Sequence, residues 1–251
     1  MTSVTTIPVE SLHDALGLPV PISVPAEWQG VALKDWKMDA DDVILRQVFR
    51  QFRPMRHLEF GTLVGDGVLR VVEECEATVW TINLLEGELK PNGQWGYGTE
   101  EDEVSAGIGW RQEIRSDAKV WVRNDAFGMI GTKYLRAGWG RRVCQIYADS
   151  RQWDTSAYPD GFFDTALIDG GHQADVVEND SAIATRLTRP GGLVMWHDFC
   201  PTEDVLANCG SPRDVVQYID THATALARDF DKLIWPTPSW LLLGVRSAAS
   251  R

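Results

Sequence analysis

The sequence predicts an α/β fold on a mostly parallel sheet, closed by a terminal antiparallel hairpin. Three observations carry this. Residues 163–199 read strand, acidic turn, helix, Pro-Gly-Gly, strand, acidic turn, which is a βαβ unit. A glycine-rich turn, Gly61-Thr62-Leu63-Val64-Gly65-Asp66-Gly67, follows directly on the strand-like run His57-Leu58-Glu59-Phe60. Two late apolar runs, 233–235 and 240–245, are joined by Pro236, Pro238 and Ser239, a spacing that suits a hairpin. Open α/β sheets bind ligands at the carboxyl ends of their strands. Asp169, His172, His197 and Asp198 fall at the ends of the two strands of the βαβ unit and are the first candidates for chemistry.

Residues 1–40 are broken by Pro8, Pro19, Pro21 and Pro25 and read as an N-terminal arm or cap with one short helix near 10–16. Such an arm covers the site, pairs with another subunit, or simply packs. Residues 41–251 read as the main domain. Its first helix spans 41–52, with Val43, Ile44, Val48 and Phe49 on one side and Arg53-Pro54 as its stop. Strand 57–60 and the glycine turn come next, then a helix over 68–76. Glycines allow a sharp turn and close approach of a ligand, and a helix start adds exposed N–H groups. The spacing lacks the middle glycine of the dinucleotide pattern, so an ordinary tight turn explains it equally well.

Residues 78–84 read as the second strand. Nucleotide-binding folds carry an acid for the ribose hydroxyls near this tip. Asn83 stands there instead, with Glu86 and Glu88 just beyond. An amide can bond a diol without the charge-assisted contribution, or it can cap a turn. Residues 86–140 form a long insertion, expected as a lid or substrate loop. Its Trp95, Tyr97, Trp110 and Trp121 would line a flat substrate or anchor the loop, and 126–135 would return as a helix. Strand three, 143–147, should bury Cys144. Asp149 and Ser150 at its tip can meet an exocyclic amine and a base edge, or start a turn. A helix over 175–189 stops at Pro190-Gly191-Gly192, and Ser211 caps a last helix with Pro212 in its first turn.

At 251 residues the chain can bury a full core. A net charge of −12 argues against nonspecific nucleic-acid binding and against anionic membranes. The four cysteines have no zinc or redox spacing. No basic-then-apolar leader and no span of transmembrane length is seen. The expectation is a cytoplasmic protein with a small-molecule partner, bound to neither nucleic acid nor membrane. The N-terminal segment is compatible with a homo-oligomer.

Glu59-Phe60-Gly61-Thr62 with Gly65 resembles the first motif of class I S-adenosylmethionine-dependent methyltransferases. Ile168-Asp169-Gly170-Gly171-His172, with Asp180, Pro190-Gly191-Gly192 and Trp196-His197-Asp198-Phe199, is similar to a narrower group, the macrocin O-methyltransferase and cephalosporin-hydroxylase-like proteins. The resemblance spans roughly residues 57–245. It implies a Rossmann-like class I fold of seven strands, six parallel and one antiparallel, with S-adenosyl-L-methionine as cofactor. By resemblance, Glu59, Gly61, Thr62 and Gly65 surround the methionine part of the cofactor, with Asn83 at the ribose. Asp149 and Ser150 lie on the adenine side, and Asp169 borders the cofactor. Relatives bind Mg²⁺ at the positions of Asp169, His197 and Asp198. His197 departs from that acidic pattern, because imidazole is a poor Mg²⁺ ligand and a better one for softer ions. His172 matches the proposed general base.

The implied reaction is O-methylation of a hydroxyl on a sugar-containing or phenolic natural-product intermediate, with or without metal assistance. Three other readings stand beside it: carboxylate O-methylation without metal, an NAD-dependent oxidoreductase, and a noncatalytic cofactor-binding partner.

Overall fold

A computed structural model describes residues 4–35, 38–84, 110–115, 118–123 and 130–248; of these, 38–39, 110–115, 118–123 and 211 are described by backbone alone. The elements run β1 (Thr5–Pro8), α1 (Leu12–Leu16), α2 (Met38–Phe52), β2 (Arg56–Phe60), α3 (Asp66–Val72), β3 (Thr78–Asn83), β4 (Trp110–Arg115) and β5 (Ala118–Arg123). They continue with α4 (Thr132–Arg136), β6 (Val143–Tyr147), β7 (Phe163–Ile168), α5 (Ala174–Leu187), β8 (Thr188–Trp196), α6 (Glu203–Asn208), α7 (Ser211–Asp229), β9 (Phe230–Thr237) and β10 (Leu242–Arg246).

Eight strands form one sheet in the order β1-β9-β10-β8-β7-β2-β3-β6. Every pairing in it is parallel except the two made by β10, so β10 alone runs against the rest. The expected terminal hairpin is β9–β10. The seven expected strands are joined by an eighth, β1, from the segment read as an arm. It pairs with β9 from Thr5↔Ile234 to Pro8↔Thr237. Pro8 is tolerated because β1 ends the sheet and need not donate on its outer side.

Strand alternation sorts the core into two layers. On one face Leu167, Leu193, Met195 and Leu243 pack with Val9 and Leu12 near the N-terminus and with Ile44, Val48 and Phe49 of α2. On the other, Leu58, Phe60, Ala166, Ile168, Val194 and Trp196 pack with Val177, Ala184 and Leu187 of α5 and Val215 and Ile219 of α7. In β2 the same alternation turns His57 and Glu59 away from the face of Leu58 and Phe60. His57 is fully buried, edge-on to Phe49 at 5.0 Å, with Nδ1 2.8 Å from Thr165 Oγ1.

Two local expectations are corrected. Cys144 is exposed, not buried, because β6 is the last strand of the sheet order. The helix after the glycine turn is α3, beginning at Asp66 and ending at Val72, because the chain must turn back at once to enter β3 at Thr78. Within the long insertion, β4 and β5 pair as an antiparallel hairpin. Glu86, Glu88, Trp95 and Tyr97 lie outside the described residues, as do 126–129 of the expected returning helix and the side chains of Trp110, Trp121 and Ser211. Among the described residues no helix is long and apolar enough to cross a membrane.

Candidate active site at the strand tips

Register brings the candidate residues together. Phe60 pairs with Ile82 on one side and Ile168 on the other, and Ile168 pairs with Trp196. The ladder then continues one step past the strands. Gly61 N–H donates to Ile82 C=O at 2.9 Å, Asp169 N–H to Phe60 C=O at 2.9 Å, and His197 N–H to Ile168 C=O at 3.0 Å. Gly61, Asp169 and His197, 136 positions apart at the extremes (197 − 61), thus share one row.

At the β7 and β8 tips three side chains converge. His197 Nδ1 stands 3.3 Å from Asp169 Oδ1 and 3.2 Å from Asp198 Oδ2. The imidazole is 3% exposed. Burial alone would lower its pKa, but Asp169 and Asp198 outweigh burial and raise it to about 10. Burial would likewise raise Asp198, yet His197 and His172 hold it far below the usual carboxylate range. Asp198 has φ 59°, a left-handed conformation that a non-glycine residue keeps only when its surroundings enforce it.

His172 comes from the loop after Gly170-Gly171. Its Nε2 lies 2.6 Å from Asp198 Oδ2, and its side chain is 44% exposed. Burial opposes its charged form, but the Asp198 hydrogen bond and charge, with Asp169, carry its pKa above the ordinary histidine value. With Nε2 turned to Asp198, Nδ1 is the nitrogen left to meet a substrate. This is the arrangement in which a carboxylate fixes an imidazole for proton transfer.

At the β2, β3 and β6 tips the side chains bond locally. Gly61 has φ 97°, and a Cβ there would collide with the Asp169 carbonyl; only glycine lets the two turns approach so closely. Thr62 faces inward, its Oγ1 2.7 Å from Thr81 Oγ1 and accepting from Gln145 Nε2 at 2.9 Å. Gly65 N–H closes the turn on Thr62 C=O at 2.8 Å, and Gly65 precedes α3 with φ 100°. Asn83 Oδ1 accepts from Leu63 N–H at 3.0 Å, so the amide braces the glycine turn. Glu59 is 1% exposed beneath Gly67; burial pushes its carboxyl well above the usual range, against the pull of Arg70. Asp149 accepts from Arg151 at its backbone N–H and its guanidinium, which holds its pKa low, and Arg151 also reaches Asp175 at 2.6 Å. Ser150 hydrogen-bonds Asp180, whose buried carboxyl is raised to about 6 mainly by desolvation.

The sequence reading missed three contributors. Arg70 of α3, 4% exposed, is held by Asp42 Oδ1 at 2.5 Å and extends Nη1 to 3.5 Å from Asp169 Oδ2. Asp41 of α2, 1% exposed, lies 3.7 Å from His197 Nε2. A guanidinium amid Val68, Val71 and Val72 was the one available signal, because an arginine on an apolar helix face needs an acid partner.

One imidazole nitrogen and two carboxylate oxygens, all within 4.8 Å of one another, are a donor set for a divalent cation. The mixture fits a transition ion better than Mg²⁺. His197 must release a proton before it can ligate, since coordination requires the neutral ring.

Residues 58–199 match the family described as "Methyltransferase domain". A search of curated proteins returned no match. Among solved structures, the chain is similar to a provisionally assigned O-methyltransferase from Klebsiella pneumoniae: 17% identity, 96% of this chain and 88% of that one covered, TM-score 0.51. A provisionally assigned caffeoyl-CoA O-methyltransferase from Staphylococcus aureus gives 13% identity, 95% and 90% coverage, and a TM-score of 0.50. At these identities the structures show a shared fold.

Proposed function

Because this chain belongs to the methyltransferase domain family and is an S-adenosylmethionine-dependent methyltransferase, we propose that it methylates a hydroxyl of a small metabolite, a sugar-containing or phenolic intermediate. The observation that carries the reading is the His172–Asp198 pair, 2.6 Å apart, beside the row that Gly61, Asp169 and His197 share. The cofactor supplies the methyl group on a sulfonium. His172 Nδ1 would take the hydroxyl proton as the acceptor oxygen bonds to the methyl carbon and the carbon–sulfur bond breaks to leave a neutral thioether, and Asp198 would hold the ring by Nε2. Against burial, the Asp198 hydrogen bond and charge raise the ring's pKa and so favour its charged form. An arriving sulfonium disfavours that charge and prepares the neutral base.

In this reading the Gly61–Gly65 turn holds the methionine part of the cofactor. Glu59 and Thr62 support the turn from beneath, Asn83 braces it near the ribose, and Asp149 and Ser150 border the adenine. Asp169, His197 and Asp198 would hold a divalent ion, which would lower the pKa of an acceptor hydroxyl and orient it. The narrower kinship with macrocin-type enzymes, a cytoplasmic setting, and a domain of 41–251 with a lid at 86–140 belong to the same proposal.

One observation favours a second reading. The upward shift of the His172 pKa favours a charged ring, which suits an anionic acceptor, and a carboxylate needs no base. Calorimetry with S-adenosylhomocysteine and NAD, followed by transfer of labelled methyl to paired hydroxyl and carboxylate acceptors, separates these. Homocysteine-form binding with methyl ethers as products is expected. NAD binding alone would sink the transferase reading, and methyl esters alone would replace the hydroxyl reading with the carboxylate one.

A further inference from the structure

Helix α2 lies outside the family-matched stretch, yet Asp41 in its first turn reaches the far side of the acid–imidazole cluster. Its carboxylate accepts from Trp240 N–H at 3.2 and 3.3 Å. Trp240 C=O in turn accepts from Phe199 N–H at 3.0 Å, one residue beyond Asp198. Asp41 is therefore tied to the turn through the backbone. It also faces the ring: Oδ2 is 3.7 Å from His197 Nε2, a buried atom with no hydrogen-bond partner among the described residues. A buried N–H left without an acceptor is costly, and this carboxylate is placed to relieve it by a shift of less than 1 Å.

The other ring nitrogen is fully used. Nδ1 sits between Asp169 Oδ1 and Asp198 Oδ2 at 3.3 and 3.2 Å. The strained Asp198, at φ 59°, needs neighbours that enforce its conformation, and the Phe199–Trp240–Asp41 chain is one of them.

We propose that Asp41 is a positioning residue for the His197–Asp198 turn, accepting the Nε2 proton of His197 and anchoring Phe199 through Trp240, so that Nδ1 faces the two carboxylates. With Nε2–H given to Asp41, the Nδ1 lone pair can join Asp169 and Asp198 around a cation. A carboxylate behind a ligating imidazole fixes its tautomer, and its loss typically weakens metal binding by about 10- to 100-fold. That consequence rests on the cation reading of the proposed function; the positioning of the ring does not.

Asp41→Asn is the test. The amide keeps an oxygen for Trp240 N–H but can turn an N–H toward Nε2, which favours the opposite tautomer. In protein labelled with ¹⁵N-histidine, the wild type is expected to show a slowly exchanging His197 Nε2–H, and Asp41→Asn, which removes the carboxylate acceptor, to lose that slow exchange. The Zn²⁺ dissociation constant should rise by about 10- to 100-fold, while that of S-adenosylhomocysteine is essentially unchanged. Asp41→Glu keeps an acceptor, so its signal should persist at a shifted frequency. Ring signals identical to wild type in Asp41→Asn, or in Asp41→Glu should the amide variant not fold, would overturn the proposal. A wild type that binds no Zn²⁺ would remove the cation reading and leave the ring signals to decide the role of Asp41.

Discussion

The tips of β7 and β8 and the tips of β2, β3 and β6 lie in one row but use their polar groups differently. At β7 and β8, Asp169, His172, His197 and Asp198 bond chiefly to one another, across 169–198 of the chain. Moving one group changes the charge state of the rest. At β2, β3 and β6, most polar groups bond close by, Asn83 on Leu63, Thr62 on Thr81 and Asp149 on Arg151, while the buried Glu59 carboxyl oxygens have no hydrogen-bond partner among the described residues. What that side offers a ligand is backbone shape and the space that glycine leaves. Convergent side chains are suited to moving protons, whereas locally bonded ones are suited to holding a form.

The largest effect that can break this contrast is His172→Ala. Turnover should fall by roughly 100- to 10,000-fold, with S-adenosylhomocysteine affinity by calorimetry nearly unchanged. An equal loss of both would mean that His172 belongs to the shape-holding side.

Titration sharpens the contrast, because the buried histidine at the foot of β2 and the one at the tip of β8 have opposite signs. Burial lowers His57, at the foot of β2, to about 3. Its neutral form is favoured by folding, so its stabilisation is complete above pH 6.5 and is lost as pH falls toward 3. Between pH 7 and pH 4 the loss is about 3 kcal/mol. His197 is raised to about 10, so in the metal-free chain its stabilisation is complete below pH 6.5 and fades as pH rises through 10. Urea midpoints should fall on both sides of neutrality. His57→Gln should flatten the acid limb and leave the alkaline one; an unaltered acid limb would contradict the assignment.

Gly61→Ala comes next. Its Cβ would strike the Asp169 carbonyl at a backbone φ of 97°. Stability should drop by about 2 kcal/mol or more, with cofactor affinity falling alongside it in the same melting and calorimetric series. Asn83→Ala should do least. It leaves Leu63 N–H without its acceptor, a loss of about 1 kcal/mol, and should raise the cofactor KM more than it lowers kcat.

Much of this was legible. The βαβ unit declared itself through an apolar run and an acidic Gly-Gly turn, each of which has a local cause, but the helix expected over 175–189 ends at Leu187, and Pro190-Gly191-Gly192 already belong to β8. The trio was legible because strand ends and acids coincided at Asp169 and His197-Asp198. The strand Thr5–Pro8 was not, since four residues ending in proline have no periodicity of their own and take their conformation from β9. Asp41 and Asp42 were also hidden. Adjacent acids early in a helix are the ordinary surface pattern, and only the packing of α2 against α3 and the strand tips turns them inward. Cys144 misled because an apolar strand pattern does not reveal which strand ends the sheet.

The most direct measurement is a structure with S-adenosylhomocysteine bound. The expected result is a thioether sulfur facing the His172–Asp198 pair, with the adenine toward Asp149 and Ser150. A sulfur lodged on another face of the sheet, or pointing away from His172, would contradict a shared pocket at the strand tips.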